Sequence, residues 1–288
     1  MAAADPARPA PPDSPAPPDS PGATDPDGAR RADRLEHGTG GVARVVIGRP
    51  EVRGALDAPE RRALLDALRR AADAAAAGEV RCVVLVGTGD AFSSGQDLRE
   101  HAARLDADDP ALARVVEDEY APIALLLAEM PAPVVAVVRG TAAGAGAALA
   151  LAADLRLLAA SARVDTGFAR VGLPPDTGAS WWLPRLVGEG RARDLLLRPR
   201  PVPADECVAL GLATEAVPDA DLDARAAEVA RQLAAGPTAA LVATRRALAF
   251  SATHDLPSTL AHEGALVAGV ARSPEHRAAV EAFLTRRR

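Results

Sequence analysis

The chain has 288 residues, 49% of them hydrophobic, which is enough to bury a sizeable core in one large domain or two small ones. Its net charge of −6 and pI near 5.5 argue against nucleic acid as a partner, because phosphate binding wants a basic face. No apolar run approaches the roughly 20 residues of a membrane span, and the N-terminus lacks the charged start and apolar stretch of a secretory signal, so a soluble cytoplasmic protein with no membrane partner is the expectation.

Residues 1–34, in which APPDSP recurs among Pro, Asp and Ala, cannot bury enough apolar surface to offset their ordering entropy and are predicted to form a disordered tail. Order is expected from Leu35. GGVARVVIGRP reads as a strand after a glycine turn, APERRALLDALRRAADAAAA as an amphipathic helix, and VRCVVLVG as a buried strand. A loop, TGDAFSSGQDL, leads into a helix predicted to run through about Met130, and APVVAVVRG is the next buried strand. GTAAGAGAAL then enters another helix, and DLRLLAASA is a further strand. Continuous Val/Leu strands alternating with helices indicate an α/β core over 35–217, its sheets covered on both faces. After Pro218 four consecutive helices, separated by Gly or Ser/Pro breaks, make a helical region over 218–288.

Cys82 and Cys207 have no Cys-x-x-Cys or Cys/His spacing, so neither a metal site nor a disulfide is indicated and both read as buried thiols. The five histidines (His37, His101, His254, His262, His276) have no partners at ligand spacing and read as structural.

Two segments share one logic. AFSSGQDL and GTAAGAGAAL each put glycines just after a buried strand, and the second runs directly into a helix. Glycine permits positive φ and close approach to the main chain, and helix N-termini leave N–H donors unpaired. Two such loops could aim two backbone N–H groups at one developing oxyanion. Neither loop has the spacing of a P-loop or a dinucleotide fingerprint.

RPEVRGALD, AFSSGQDL, GTAAGAGAALALAADLRLLAASARV and FARVGLPPDTGASWWLPRLVG occur in this order. Together they resemble the enoyl-CoA hydratase/isomerase (crotonase) superfamily, from Leu35 to the C-terminus. Within it the likeness is to the epoxyphenylacetyl-CoA isomerase and dienoyl-CoA isomerase types. The resemblance implies a crotonase-like spiral of repeated β-β-α units with a C-terminal helical region, and a homotrimer or dimer of trimers. It also implies an acyl-CoA thioester substrate, with coenzyme A present as part of that substrate and no permanently bound cofactor or metal.

Carried over by position, the resemblance makes the N–H groups of Gln96 and Ala145 the donors to the thioester oxygen. Ser94, Gly95, Asp97, Leu98 and Gly144 lie around them. The family commonly has glycine where Ala145 stands, and its methyl is expected to crowd the pocket wall. Where the family's hydratases carry two glutamates, this sequence has Ala148 and Phe168, which disfavours adding water by a pair of carboxylates. Asp176, in GLPPDTG, matches an aspartate that acts on the acyl chain in the isomerases. Its bare sequence context also suits a turn residue. Phe168 and Trp181 are expected to line the acyl pocket, and Arg53 and Arg245 to contact the nucleotide of coenzyme A.

The function expected is an acyl-CoA isomerase, shifting a double bond or rearranging an epoxide through a thioester enolate. Two alternatives remain open: a hydratase or related hydrolase or lyase with Glu117 or Glu119 as second acid, and a non-catalytic acyl-CoA binder.

Overall fold

The chain builds one large sheet and two small ones by repeating one short cycle. The computed structural model describes residues 34–286; the predicted tail lies outside the described residues apart from Arg34. Arg34, placed in the tail by the sequence, belongs to the folded core: its guanidinium is buried and pairs with Glu60 at 2.8 Å.

The large sheet contains β1 (Leu35–His37), β2 (Val42–Ile47), β4 (Cys82–Gly87), β6 (Val134–Val138), β8 (Leu155–Ala159) and β11 (Glu215–Val217), in the order β1-β2-β4-β6-β8-β11. Only the β1–β2 pair is antiparallel. Every residue of β6 is buried, as expected for a parallel strand covered on both faces.

The smaller strands are β3 (Ala55–Leu56), β5 (Gly95–Gln96), β7 (Thr141–Ala143), β9 (Arg163–Asp165) and β10 (Val202–Pro203). Strand β3 pairs with β5, β7 pairs with β9 and β10 pairs with β9, while a single bridge between Ser93 and Ala142 links the two groups. Each cycle therefore runs from the large sheet to a small strand and into a helix: β2–β3–α1 (Ala58–Ala76), β4–β5–α2 (Leu98–Asp106), β6–β7–α4 (Ala145–Ala152) and β8–β9–α5 (Ala179–Val187). This is the predicted β-β-α spiral.

Helix α1 shows why these segments fold locally. Asp57 caps it by accepting from the Glu60 N–H, Pro59 sits in the first turn, and Leu64, Ala67, Leu68, Ala71 and Ala75 bury one face. The helix predicted through Met130 is broken instead. Helix α2 ends at Asp106; a 3-10 turn (Pro110–Arg114) and a π turn (Val116–Tyr120) precede α3 (Ala121–Glu129). The cause is local: Asp108 has φ +48, and Asp109, held extended before Pro110, cannot continue a helix.

The remaining helices are α6 (Glu189–Leu197), α7 (Ala204–Leu210), α8 (Leu222–Ala235), α9 (Thr238–Ser251), α10 (Leu256–Val270) and α11 (Pro274–Arg286), the last four as predicted. Helix α8 buries Leu222, Ala226, Val229, Ala230 and Ala234, whereas α9 has no buried residue and α10 only Thr259. No described helix is long and apolar enough to cross a membrane. Cys82 and Cys207 are free, buried thiols, each pushed up to about 12 chiefly by burial.

Candidate active site

The two glycine loops meet where the Ser93–Ala142 bridge joins the small strands. Ser93 is the fastener. Its N–H donates to Thr141 O and its carbonyl accepts from Ala143 N–H at 2.8 Å. Its buried hydroxyl donates to Gly54 O at 2.7 Å and accepts from Gly95 N–H at 3.1 Å. Gly95, at φ +83, leaves no room for a side chain: a Cβ there would stand 2.6 Å from Ala143 O and 3.1 Å from Ala145 N. The backbone of one loop thus touches the first N–H of α4.

Along β5 the Asp97 N–H goes to Leu56 O and the Gly95 N–H to Ser93 Oγ. Successive N–H groups on a strand face opposite edges, so that of Gln96 points away from β3. Its side chain is engaged elsewhere, with Nε2 2.8 Å from Nδ1 of His101. Gly144 takes φ +52 and ψ −124, a conformation open to glycine alone, and its N–H donates to Asp165 O. That turn starts α4 with Ala145, whose N–H has no partner within the helix. Ala145 is buried, its methyl packed in the main apolar core.

Ala148, Phe168 and Ala179 form a small buried apolar cluster of their own, with Leu196 packed against it. Asp176 lies on the turn leading into α5. Burial raises its carboxyl pKa, opposed by the Thr177 hydroxyl, which donates to Oδ1 at 2.8 Å. Thr177 is buried and held at φ +52, an outlier for a β-branched residue and the kind of strain that collects at functional sites.

Other predicted residues are employed differently. Asp97 caps α2, accepting from the Arg99 and Glu100 N–H groups, and pairs with Arg49 at 2.9 Å; despite partial desolvation, these partners hold its carboxyl below the usual range. Leu98 is exposed at the start of α2, and Ser94 donates its N–H to Arg53 O. The Arg53 side chain is exposed beside this loop and forms no ion pair among the described residues, so it is free to meet an anion. Arg245 is not free. Its Nε pairs with Asp154 at 2.7 Å, Nη2 donates to Leu127 O at 2.9 Å, and Nη1 donates to Met130 O. It clamps α9 to the core. Trp181 is 42% exposed beneath the Arg185 guanidinium, 3.3 Å from the ring centre, and outside the Phe168 cluster. Glu117 is exposed and pairs with Arg114, while Glu119 is tied to Arg61 at 2.6 Å, so neither is poised as a second acid.

Sequence reasoning missed three residues: Ser93, Thr177 and Tyr120, whose hydroxyl is fully buried without a hydrogen-bond partner. The doubled serine in FSSG was the available signal for Ser93. No local signal marks the other two. No cluster of three or more His, Cys, Asp or Glu that could hold a metal occurs among the described residues.

Comparison with known proteins gives the family. The model of the enoyl-CoA hydratase/isomerase family matches residues 37–288. A protein of Rhodobacter capsulatus named "Probable enoyl-CoA hydratase" is 43% identical over 86% of this chain and 93% of its own length. The 1,2-epoxyphenylacetyl-CoA isomerase of Escherichia coli is 34% identical over 88% of this chain and 95% of its own. A crystal structure of an enoyl-CoA hydratase/isomerase from Cupriavidus metallidurans superposes with a TM-score of 0.80 at 32% identity, covering 88% of this chain and 94% of that one. The chain belongs to the enoyl-CoA hydratase/isomerase (crotonase) superfamily and is an enzyme of that class.

Proposed function

We propose that the enzyme is an acyl-CoA isomerase. The thioester carbonyl oxygen accepts from the N–H groups of Gln96 and Ala145, and Asp176 moves one proton on the acyl chain. The carboxylate removes a proton from the α or γ carbon, the C–H electron pair passes into the thioester as an enolate, and the oxyanion is held by the two N–H groups. The same carboxyl then returns its proton to a different carbon. The double bond has shifted, and no atom has been gained or lost. With an epoxide in the acyl group, the enolate electrons would instead open the ring in a rearrangement of equal mass. In comparable sites one oxyanion donor contributes about 3 to 4 kcal/mol and a positioned acid–base roughly 10²- to 10⁴-fold.

The observation that carries this reading is the composition of the acyl end. Ala148 and Phe168 occupy the two positions where the resemblance places hydratase glutamates, and both are sealed into an apolar cluster. Asp176, its carboxyl raised by burial toward the working range of a general base, is the acid left. Hydration is favoured by the name of the Rhodobacter capsulatus relative, but a water would need a second group to activate it, and Glu119 is spent on Arg61.

Coenzyme A would enter and leave as part of the substrate, with Arg53 toward its phosphates. Exposed Leu248, Leu256, Leu260 and Val267 on α9 and α10 support self-association as a homotrimer or dimer of trimers, and two buried free thiols suit a cytoplasmic location. Mass spectrometry of 2-enoyl- and 3-enoyl-CoA thioesters after incubation tests the reaction type. An isomerase returns a positional isomer of unchanged mass; a product heavier by one water means hydration.

A further inference from the structure

Arg61, on α1, is 1% exposed, less than any other charged residue described. A buried guanidinium is tolerated only where its donors are used, and this one reaches three separate segments. Nη1 donates to Leu56 O at 2.6 Å and to Glu100 at 3.0 Å, Nη2 to Glu100 at 3.3 Å, and Nε to Glu119 of the π turn at 2.6 Å. Two of these partners frame Gln96. Leu56 is the β3 residue paired with Gln96 in β5, and its carbonyl also accepts from the Asp97 N–H at 3.2 Å. Glu100 lies in the first turn of α2, just past Gln96, and accepts from the Ala58 N–H at 3.0 Å as well. The guanidinium therefore grips the strand beside Gln96 and the helix that follows it.

The β3–β5 ladder is two residues long, too short to fix the angle of its own peptides. Side chains supply what it lacks. Arg49 holds the Asp97 carboxylate at 2.9 Å and Ala55 O at 2.9 Å, while Arg61 holds Leu56 O and Glu100. None of these ties is made to the Gln96 N–H itself, which points away from β3. An oxyanion donor contributes only if it is already aimed, within about 0.5 Å, at the place where charge will develop. A restraint that leaves the donor unspent is what such a peptide needs.

We propose that Arg61 is a positioning residue of the reaction: it sets the direction of the Gln96 N–H by fixing Leu56 and Glu100 to either side of it, without touching substrate. The inference rests on the reading of Gln96 as an oxyanion donor and is independent of which acyl carbon Asp176 serves. Because Arg49 still holds Asp97, losing the Arg61 fork tilts the peptide and leaves the loop in place.

Infrared spectroscopy of butyryl-CoA, carbon-13-labelled at the thioester carbonyl and bound to the full-length protein, tests this beside steady-state kinetics. Arg61→Lys keeps the charge but replaces the fork with one ammonium that cannot serve Leu56 O, Glu100 and Glu119 together. In wild type the carbonyl stretch should drop on binding, because two N–H groups polarise the bond. Arg61→Lys should lose most of that drop while still binding the thioester. Its kcat on hex-3-enoyl-CoA should fall about 10- to 100-fold with KM nearly unchanged, since the oxyanion is present only in the transition state. Glu100→Gln, altering a side chain 21% exposed, should move both readouts the same way by less, and it carries the test if Arg61→Lys does not fold. A full wild-type drop kept in folded variants that merely melt lower makes Arg61 a structural residue and overturns the proposal, leaving the oxyanion reading intact. No drop in the wild type sinks the oxyanion reading, and the proposal with it.

Discussion

Ala148 on α4 and Phe168 on the turn after β9 pack into one buried cluster, closed by Ala179 from the first turn of α5. The contact has a chemical meaning. A carboxylate at either position would be stripped of water inside an apolar cluster, so this end of the site cannot be returned to hydratase chemistry by a single exchange. Phe168→Glu is expected to cost about 3 kcal/mol or more of stability through an unpaired buried charge, and Ala148→Glu a similar amount. Neither variant should gain hydration of a 2-enoyl thioester. Denaturant unfolding and the loss of enoyl absorbance check the two halves; a stable variant that hydrates would refute the apolar seal.

Asp176 links the site to pH. Its folded pKa is raised by burial, so as pH rises past the ordinary carboxylate value of about 4 the unfolded chain ionises before the folded one. The unfolded state then holds fewer protons, and stability falls with rising pH until the folded pKa is passed. Asp176→Asn should therefore melt higher than wild type at pH 7, and the difference should close in acid. Activity moves the other way: if Asp176 is the base proposed above, the acid limb of kcat should lie above the usual carboxylate range, because a base works ionised. Melting curves of both proteins across pH, with a rate profile of the wild type, test the sign.

The fold was legible because its signals are long and local. Runs such as CVVLVG and VVAVV can only be covered strands, and the α1 stripe with its Asp57 cap is a helix at any tertiary address. The two glycine loops were legible for a different reason: positive φ at Gly95 and the turn at Gly144 demand glycine, and glycine is visible in a sequence. Side-chain partnerships between distant segments were not. Arg245 looks like a phosphate ligand among many arginines, but Asp154, Met130 and Leu127, which claim it, are far away in the chain. The α2 break was missed because amphipathic periodicity runs on through Asp109-Pro110, where one dihedral decides the outcome. Tyr120 stayed hidden because an unsatisfied hydroxyl is a property of everything around it.

Ser93 should matter to catalysis without touching substrate. Ser93→Ala leaves Gly54 O and Gly95 N–H short of a partner and should cost about 1 to 3 kcal/mol of stability. Gly95→Ala puts a Cβ 2.6 Å from Ala143 O, displacing one or both of the proposed oxyanion donors, and kcat should fall by roughly 10²- to 10³-fold. Stopped turnover in a variant that still melts cooperatively is the expected pattern; unchanged kcat in Gly95→Ala would mean that the loops do not form the oxyanion site.

Arg53 and Arg245 should part company. Arg245→Ala removes a half-buried ion pair and two bonds to carbonyls, so the expected loss is about 2 to 4 kcal/mol with little change in KM once folded. Arg53→Ala should leave the melting temperature near that of wild type and raise KM for the thioester several-fold. Melting and steady-state kinetics on the two variants decide; a raised KM from Arg245→Ala at unchanged stability would restore it as a ligand of coenzyme A.

Proton exchange at the α carbon addresses the central claim most directly. Wild type and Asp176→Asn are incubated with saturated CoA thioesters in heavy water, and deuterium in the acyl group is followed by mass spectrometry. Enolate chemistry driven by Asp176 predicts uptake in the wild type that drops by about 10²-fold or more in Asp176→Asn, with thioester binding retained. Equal uptake in the two proteins would remove Asp176 from the mechanism, and binding without uptake in either would contradict an enolate altogether.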